Sequence, residues 1–202
     1  MSATDTTPAT PYAAGPASAA SSYSLRGRLL LFLIPAAVGL GADLWSKHWV
    51  FEQPDLRDHQ IWWLVPDYMG LQLSLNEGAL FGMGQGFVWI FATFAVIAAI
   101  GLPMWLFRYG AASDAWLTFA LGCIMAGILG NLFDRLGLHG ETWWYDPERV
   151  GTTAYAVRDW ILLQWGDKYR WPNFNIADSL LVAGAGIVLV KAFFEKPVAA
   201  RN

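Results

Sequence analysis

The chain has 202 residues, of which 55% are hydrophobic and 14% charged, with a mean hydropathy of +0.36. Soluble domains carry about a quarter charged residues, so a membrane class leads, and twelve tryptophans agree with it because Trp concentrates at membrane–water interfaces. The formal net charge of -3 leaves no basic footprint for nucleic acid, and the single Cys123 excludes an internal disulfide or a cysteine-clustered zinc site.

Residues 1–25 are rich in Ala, Ser, Thr and Pro, which bury too little apolar area to offset ordering entropy. They read as a disordered tail, without the charged start and apolar core of a signal peptide. Residues 26–196 form the expected membrane domain, and 197–202 a short C-terminal tail. Spanning about 30 Å of hydrocarbon takes roughly 20 helical residues. The first apolar segment of that length runs from Leu29 to about Val50. A first outer loop follows, in which Leu71, Leu73 and Leu75 alternate with Gln72 and Ser74, the period of a half-buried strand. Trp62 to Val65 is a candidate partner strand, giving a small surface sheet.

The second span runs from Phe87 to Phe107 and the third from Ala115 to Phe133. The second outer loop, about 134–175, holds Trp143, Trp144, Tyr145, Trp160, Trp165 and Trp171, a density suited to the headgroup zone. The fourth span runs from Ile176 to Phe194. Gly122, Gly127, Gly130, Gly184 and Gly186 in the last two spans suit close helix approach in lipid. Four spans return both termini to one side, with Arg26, Arg28, Arg108 and Lys191 flanking that face. The acids Asp43, Asp134, Asp159 and Asp178 all map to the other.

Asp178 lies at the mouth of the fourth span, and Asp159 precedes it by a short loop. A carboxylate at the edge of hydrocarbon is costly and therefore suggests function. Two that meet share a proton, the arrangement of an aspartyl dyad that activates water. Helix-start placement favours the ionised form of Asp178. Asp43 and Lys47, four apart on one helix face, read as a buried ion pair that fixes the helix or as direct participants. Asp134 reads either as a catalytic acid or as a salt-bridge partner of Arg135, whose planar donors also suit a backbone carbonyl or a lipid phosphate. Asn76-Glu-Gly alone reads as a turn. His48, His59 and His139 are scattered, so neither a metal nor a cofactor is expected. No serine sits in a nucleophile elbow.

Five runs in order carry a resemblance: Asp43-Leu-Trp-Ser-Lys47, Asn76-Glu-Gly-Ala-Leu-Phe-Gly82, Ala126-Gly-Ile-Leu-Gly-Asn131-Leu-Phe-Asp134-Arg135, Val157-Arg-Asp159-Trp and Trp171-Pro-Asn-Phe-Asn175-Ile-Ala-Asp178. Together they resemble the lipoprotein signal peptidase (signal peptidase II, prolipoprotein signal peptidase) family of bacteria. The resemblance implies a mainly α membrane protein of four transmembrane helices, with a periplasm-side β-sheet as cradle and the aromatic loop as flap. It implies an aspartic endopeptidase of the inner membrane, its site toward the periplasmic or outer face. The substrate would be a diacylglyceryl-modified prolipoprotein held among membrane lipids and cut on the N-terminal side of the modified cysteine. Asp159 and Asp178 match the catalytic pair, and Asn76 and Arg135 match residues that contact substrate. Asp43, Lys47, Asn131, Asp134 and Asn175 match supporting positions.

Two departures from the family pattern stand out. Arg158 and Trp160 flank the first catalytic position where apolar residues and Phe are usual. An inward-facing Arg158 would lower the pKa of Asp159. The stretch from Asp134 to Asp159 is also longer, as though 140–155 were inserted. A proton-coupled transporter, its acids distributed through the membrane, and a non-catalytic lipoprotein-binding protein are the rival readings.

Overall fold

In a computed structural model the described residues are 24–78, 83–166 and 168–194. Most of the expected N-terminal tail, all of the C-terminal tail and the Ala79–Gly82 end of the Asn76 run lie outside them. Four helices are long and apolar enough to cross a membrane. Helix α1 (Leu25–Phe51) starts on Ser24, whose hydroxyl accepts the Gly27 N–H at 3.2 Å. A single turn, α2 (Pro54–Arg57), follows. Helix α3 (Val88–Pro103) loses its regular ladder at Pro103, which has no N–H to donate, and continues as a π-helical stretch to Arg108. Helix α4 (Ala115–Arg135) is capped by Asp114, which accepts the Leu117 N–H at 2.9 Å. The last helix is α5 (Ile176–Phe194). These bounds agree with the four apolar spans read from the sequence.

Helix α4 is the hub. Of its apolar span 61% is buried, against 11% in α3 and in α5, and it packs against all three other long helices. Glycine makes that possible. A Cβ at Gly127 would sit 2.5 Å from the Ala177 carbonyl oxygen, and one at Gly122 would sit 2.5 Å from that of Phe32. In lipid, where no hydrophobic effect draws helices together, such backbone approach supplies the packing. At one end of the bundle Phe32 meets Phe107 edge-on at 5.7 Å, beside Leu106, Leu121 and Met125. The ion pair of Lys191 with Asp114, at 2.5 Å, ties the end of α5 to the start of α4 there.

The opposite end carries an antiparallel sheet in the order β1-β2-β3-β4. Strands β1 (Trp62–Val65) and β2 (Met69–Asn76) pair as the alternation anticipates. Strands β3 (Val157–Trp165) and β4 (Tyr169–Phe174) come from within the long second outer loop, so the sheet has four strands rather than two. Asp159 therefore stands on a strand, not in a loop. The aromatic residues of that loop divide accordingly. Trp143 is buried with Phe51, Leu75, Ala154 and Ala156 in a core between α1 and the sheet, while Trp165 stays exposed. The extra segment is itself tied down: Thr142 bridges Thr153, and Arg57 reaches Glu141 at 2.6 Å.

Candidate active site

Strand pairing sets the first carboxylate. Ser74 faces Asp159 and Asn76 faces Val157 across the β2–β3 ladder, and successive side chains on β3 point to opposite faces. Asp159 thus turns to one face and Arg158 to the other. The Asn76 amide donates to Asp159 Oδ2 at 3.1 Å, while Asn76 Oδ1 accepts from the Gly78 N–H at 2.9 Å and from Gln85 at 3.1 Å. The turn anticipated at Asn76 is present, and the same side chain also serves the acid.

The second carboxylate is set by a helix start. Asn175 precedes α5, and its Oδ1 accepts the Asp178 N–H at 2.9 Å. Asp178 Oδ2 in return accepts the Asn175 N–H at 3.2 Å. This reciprocal capping satisfies donors that a helix terminus leaves free. Asp43 takes another of them, accepting the Ala177 N–H at 2.8 Å. Capping occupies one oxygen of Asp178 and leaves Oδ1 to the Asn131 amide at 2.8 Å.

Asn175 links the two acids. Its amide nitrogen donates to Asp159 Oδ1 at 2.7 Å and to Asn131 Oδ1 at 3.2 Å. Both carboxylates line one cavity of about 390 Å³, with Asn76, Asn131, Arg135 and Trp171 in its wall. Asp159 is 2% exposed, and its pKa is raised to about 8, first by removal from water and then by the Asp178 carboxylate. The condition for a lowering by Arg158, an inward-facing side chain, is not met, because its guanidinium is turned to Asp134.

Behind the cavity lies a quartet of formally charged side chains that sum to zero, Asp43 and Asp134 with Lys47 and Arg158. Lys47 Nζ meets Asp43 at 2.8 Å, Asp134 at 3.0 Å and Asn131 Oδ1 at 3.1 Å, one acceptor for each of its three protons. Asp134 Oδ1 accepts Arg158 Nε at 3.0 Å and Nη2 at 2.9 Å, and its Oδ2 accepts the Arg158 backbone N–H at 2.9 Å. With Lys47 these contacts fill the lone pairs of Asp134, which has no oxygen free for water. Its partners are Arg158 and Lys47 rather than the neighbouring Arg135. Asp43 and Lys47 form the buried ion pair that their spacing suggested. A Cβ at Gly130 would collide with the Asp43 carboxylate, so glycine there leaves room for the quartet.

Arg135 instead reaches across to the turn after β2, donating to the Gly78 carbonyl at 2.9 Å and lying 5.6 Å from the Phe91 ring centre. Its Nε is buried and has no hydrogen-bond partner among the described residues. The sequence reading missed Arg158 as the counter-ion of Asp134, and it missed Gln85 as a support for Asn76. The run from Val157 to Leu163 shows no period-two alternation of apolar and polar residues, so only its pairing as a strand reveals that Arg158 faces away from Asp159.

A family model described as signal peptidase (SPase) II matches residues 35–194. The chain is 45% identical over 188 residues to the lipoprotein signal peptidase of Rhodopirellula baltica, covering 93% of this chain and 79% of that protein. It is 35% identical over 137 residues to the lipoprotein signal peptidase of Pseudomonas fluorescens, covering 66% of this chain and 71% of that one. Its fold is similar to that of a bacterial membrane enzyme solved by the in meso method at 2.3 Å, with a TM-score of 0.67 and 21% identity over 89% of this chain and 95% of the other.

Proposed function

The chain belongs to the signal peptidase II family, and from that premise we propose that it is an aspartic endopeptidase that removes signal peptides from diacylglyceryl-modified prolipoproteins. It cuts on the N-terminal side of the modified cysteine, in the bacterial inner membrane, with its site toward the periplasmic face. The observation that carries this reading is Asn175 holding Asp159 and Asp178 at one cavity, by 2.7 Å and 3.2 Å hydrogen bonds.

Asp178, at the positive end of α5, is the ionised member and general base. Asp159, whose raised pKa favours its acid form, is the protonated member. Asp178 takes a proton from water as the oxygen attacks the scissile carbonyl carbon. Asp159 donates its proton toward the carbonyl oxygen, giving a neutral gem-diol. Breaking the C–N bond then returns one hydroxyl proton to Asp159, while Asp178 gives its proton to the leaving amine. Asn76 and Arg135 border the same cavity and hold the substrate backbone; Asp43, Lys47, Asn131, Asp134 and Asn175 hold the acids in place.

The cavity wall explains how a membrane-anchored chain arrives. Ala95 of α3 and Leu181, Val182 and Ala185 of α5 flank it, with Gly127 and Ile128 of α4 as floor. An apolar signal helix and acyl chains fit such a wall, and their retention in lipid positions the scissile bond. Among the described residues, the four acids gather at one end of the spans, which disfavours a proton path across the membrane. Purified protein incubated with a diacylated precursor releases a product whose first residue is the lipidated cysteine, read by mass spectrometry. Absence of cleavage, or a cut elsewhere, overturns the assignment.

A further inference from the structure

A second cavity, of about 410 Å³, adjoins the first and shares Asn76, Asp159, Pro172 and Asn173 with it. Its remaining wall is different in kind. His59, Gln72, Ser74, Tyr145, Gln85 and Arg170 bring polar groups, where the first cavity is lined mainly by apolar side chains. The register of β2 against β3 shifts between Leu71 and Ser74, and within that stretch the Asn173 amide donates to the Gln72 carbonyl at 2.9 Å. That bond closes β4 over toward β2, so the polar cavity is bounded on both sides. Tyr145 comes from the extra segment 140–155. Its hydroxyl lies 3.4 Å from the Leu75 carbonyl oxygen and its ring stands edge-on to His59 at 6.0 Å.

A substrate cut at this junction has unlike halves. Upstream is an apolar helix, the modified cysteine carries its acyl chains back to lipid, and the residues after it head into water. We infer that the polar cavity is the subsite for the second and third residues of the product chain, and that Arg170 makes it prefer acidic over basic side chains there. This rests on the endopeptidase reading above. Among the described residues lining the cavity, Arg170 is the fixed cation and Asp159 the acid, the latter committed to the scissile bond. The nearby acids Glu77 and Asp146 are held by Arg149 at 3.0 Å and 2.6 Å. Among the described residues the Arg170 guanidinium has a weak 3.4 Å contact to Asn173, and the residue is exposed.

The test uses the full chain in detergent and three diacylated peptides that differ only in the residue after the cysteine: Asp, Asn or Lys. The wild type is expected to cleave the Asp peptide roughly two- to fivefold faster in kcat/KM than the Lys peptide, the size of one exposed ion pair. Arg170→Gln is expected to bring that ratio to about one, and Arg170→Glu to invert it. High salt should flatten the wild-type preference. Equal rates for all three peptides in the wild type, or an unchanged ratio in Arg170→Glu, overturn the subsite. Cleavage of none of the three by the wild type removes the endopeptidase reading itself, and the two failures are distinct.

Discussion

Asp134 accepts three hydrogen bonds from Arg158, two from the guanidinium and one from the backbone N–H, at 2.9 to 3.0 Å. The cation adjacent to Asp159 in sequence is thereby fixed on the opposite face of β3. An arginine that would oppose protonation of the neighbouring acid instead neutralises a different acid, and the strand geometry is the cause.

Removing that cation leaves Asp134 buried with only part of its compensation. Arg158→Met is expected to lower stability by about 3 kcal/mol, the scale for breaking a buried pair. Thermal unfolding in detergent measures it. If Arg158 acted on Asp159 instead, the variant would keep its melting temperature and shift its pH profile.

Each member of the acid pair should be indispensable. Asp159→Asn and Asp178→Asn are expected to reduce turnover by at least ~10²-fold, the contribution of a positioned acid or base. Both should remain folded, because Asn keeps the volume and one acceptor oxygen, which serves one of the two donors at each position: Asn76 or Asn175 at 159, and Asn131 or the Asn175 N–H at 178. Gel-shift assays with a diacylated precursor read the loss, and near-wild-type activity in either variant dissolves the pair.

The alkaline side of the rate profile should report Asp159. Its folded pKa is raised to about 8, so the proton needed for catalysis is present below that value and lost above it. kcat/KM is therefore expected to fall as pH rises through about 8. A profile that is flat on both sides of that value assigns the acid role to another group.

Two glycines in neighbouring helices should behave oppositely. Gly130→Ala drives a methyl into the Asp43 carboxylate and is expected to cost about 1–3 kcal/mol, as overpacking does, with loss of activity. Gly186→Ala meets nothing within 4 Å and should be neutral or stabilising by up to about 1 kcal/mol. Equal melting temperatures for the two variants contradict the packing described at Gly130.

The extra segment is anchored through Trp143, which is 4% exposed against Phe51 and Leu75. Trp143→Ala is expected to destabilise by about 3–5 kcal/mol. Limited proteolysis within 140–155 should accelerate in the variant; unchanged cleavage would mean that the segment is held elsewhere.

Hydropathy and periodicity are local properties, so the four spans, the β1–β2 pair and the gathering of acids at one end were readable from the chain itself. The order of the five motifs pointed to the family for the same reason. Partner choice is not local. Lys47 meets Asn131 from 84 positions away, and Asp134 meets Arg158 from 24, and only helix packing and strand register bring them together. The second hairpin was hidden because its Trp-rich strands carry the composition of an interfacial loop, and pairing with β2 decides the difference. Tertiary structure thus chose which acids are neutralised in pairs and which two are left facing a cavity.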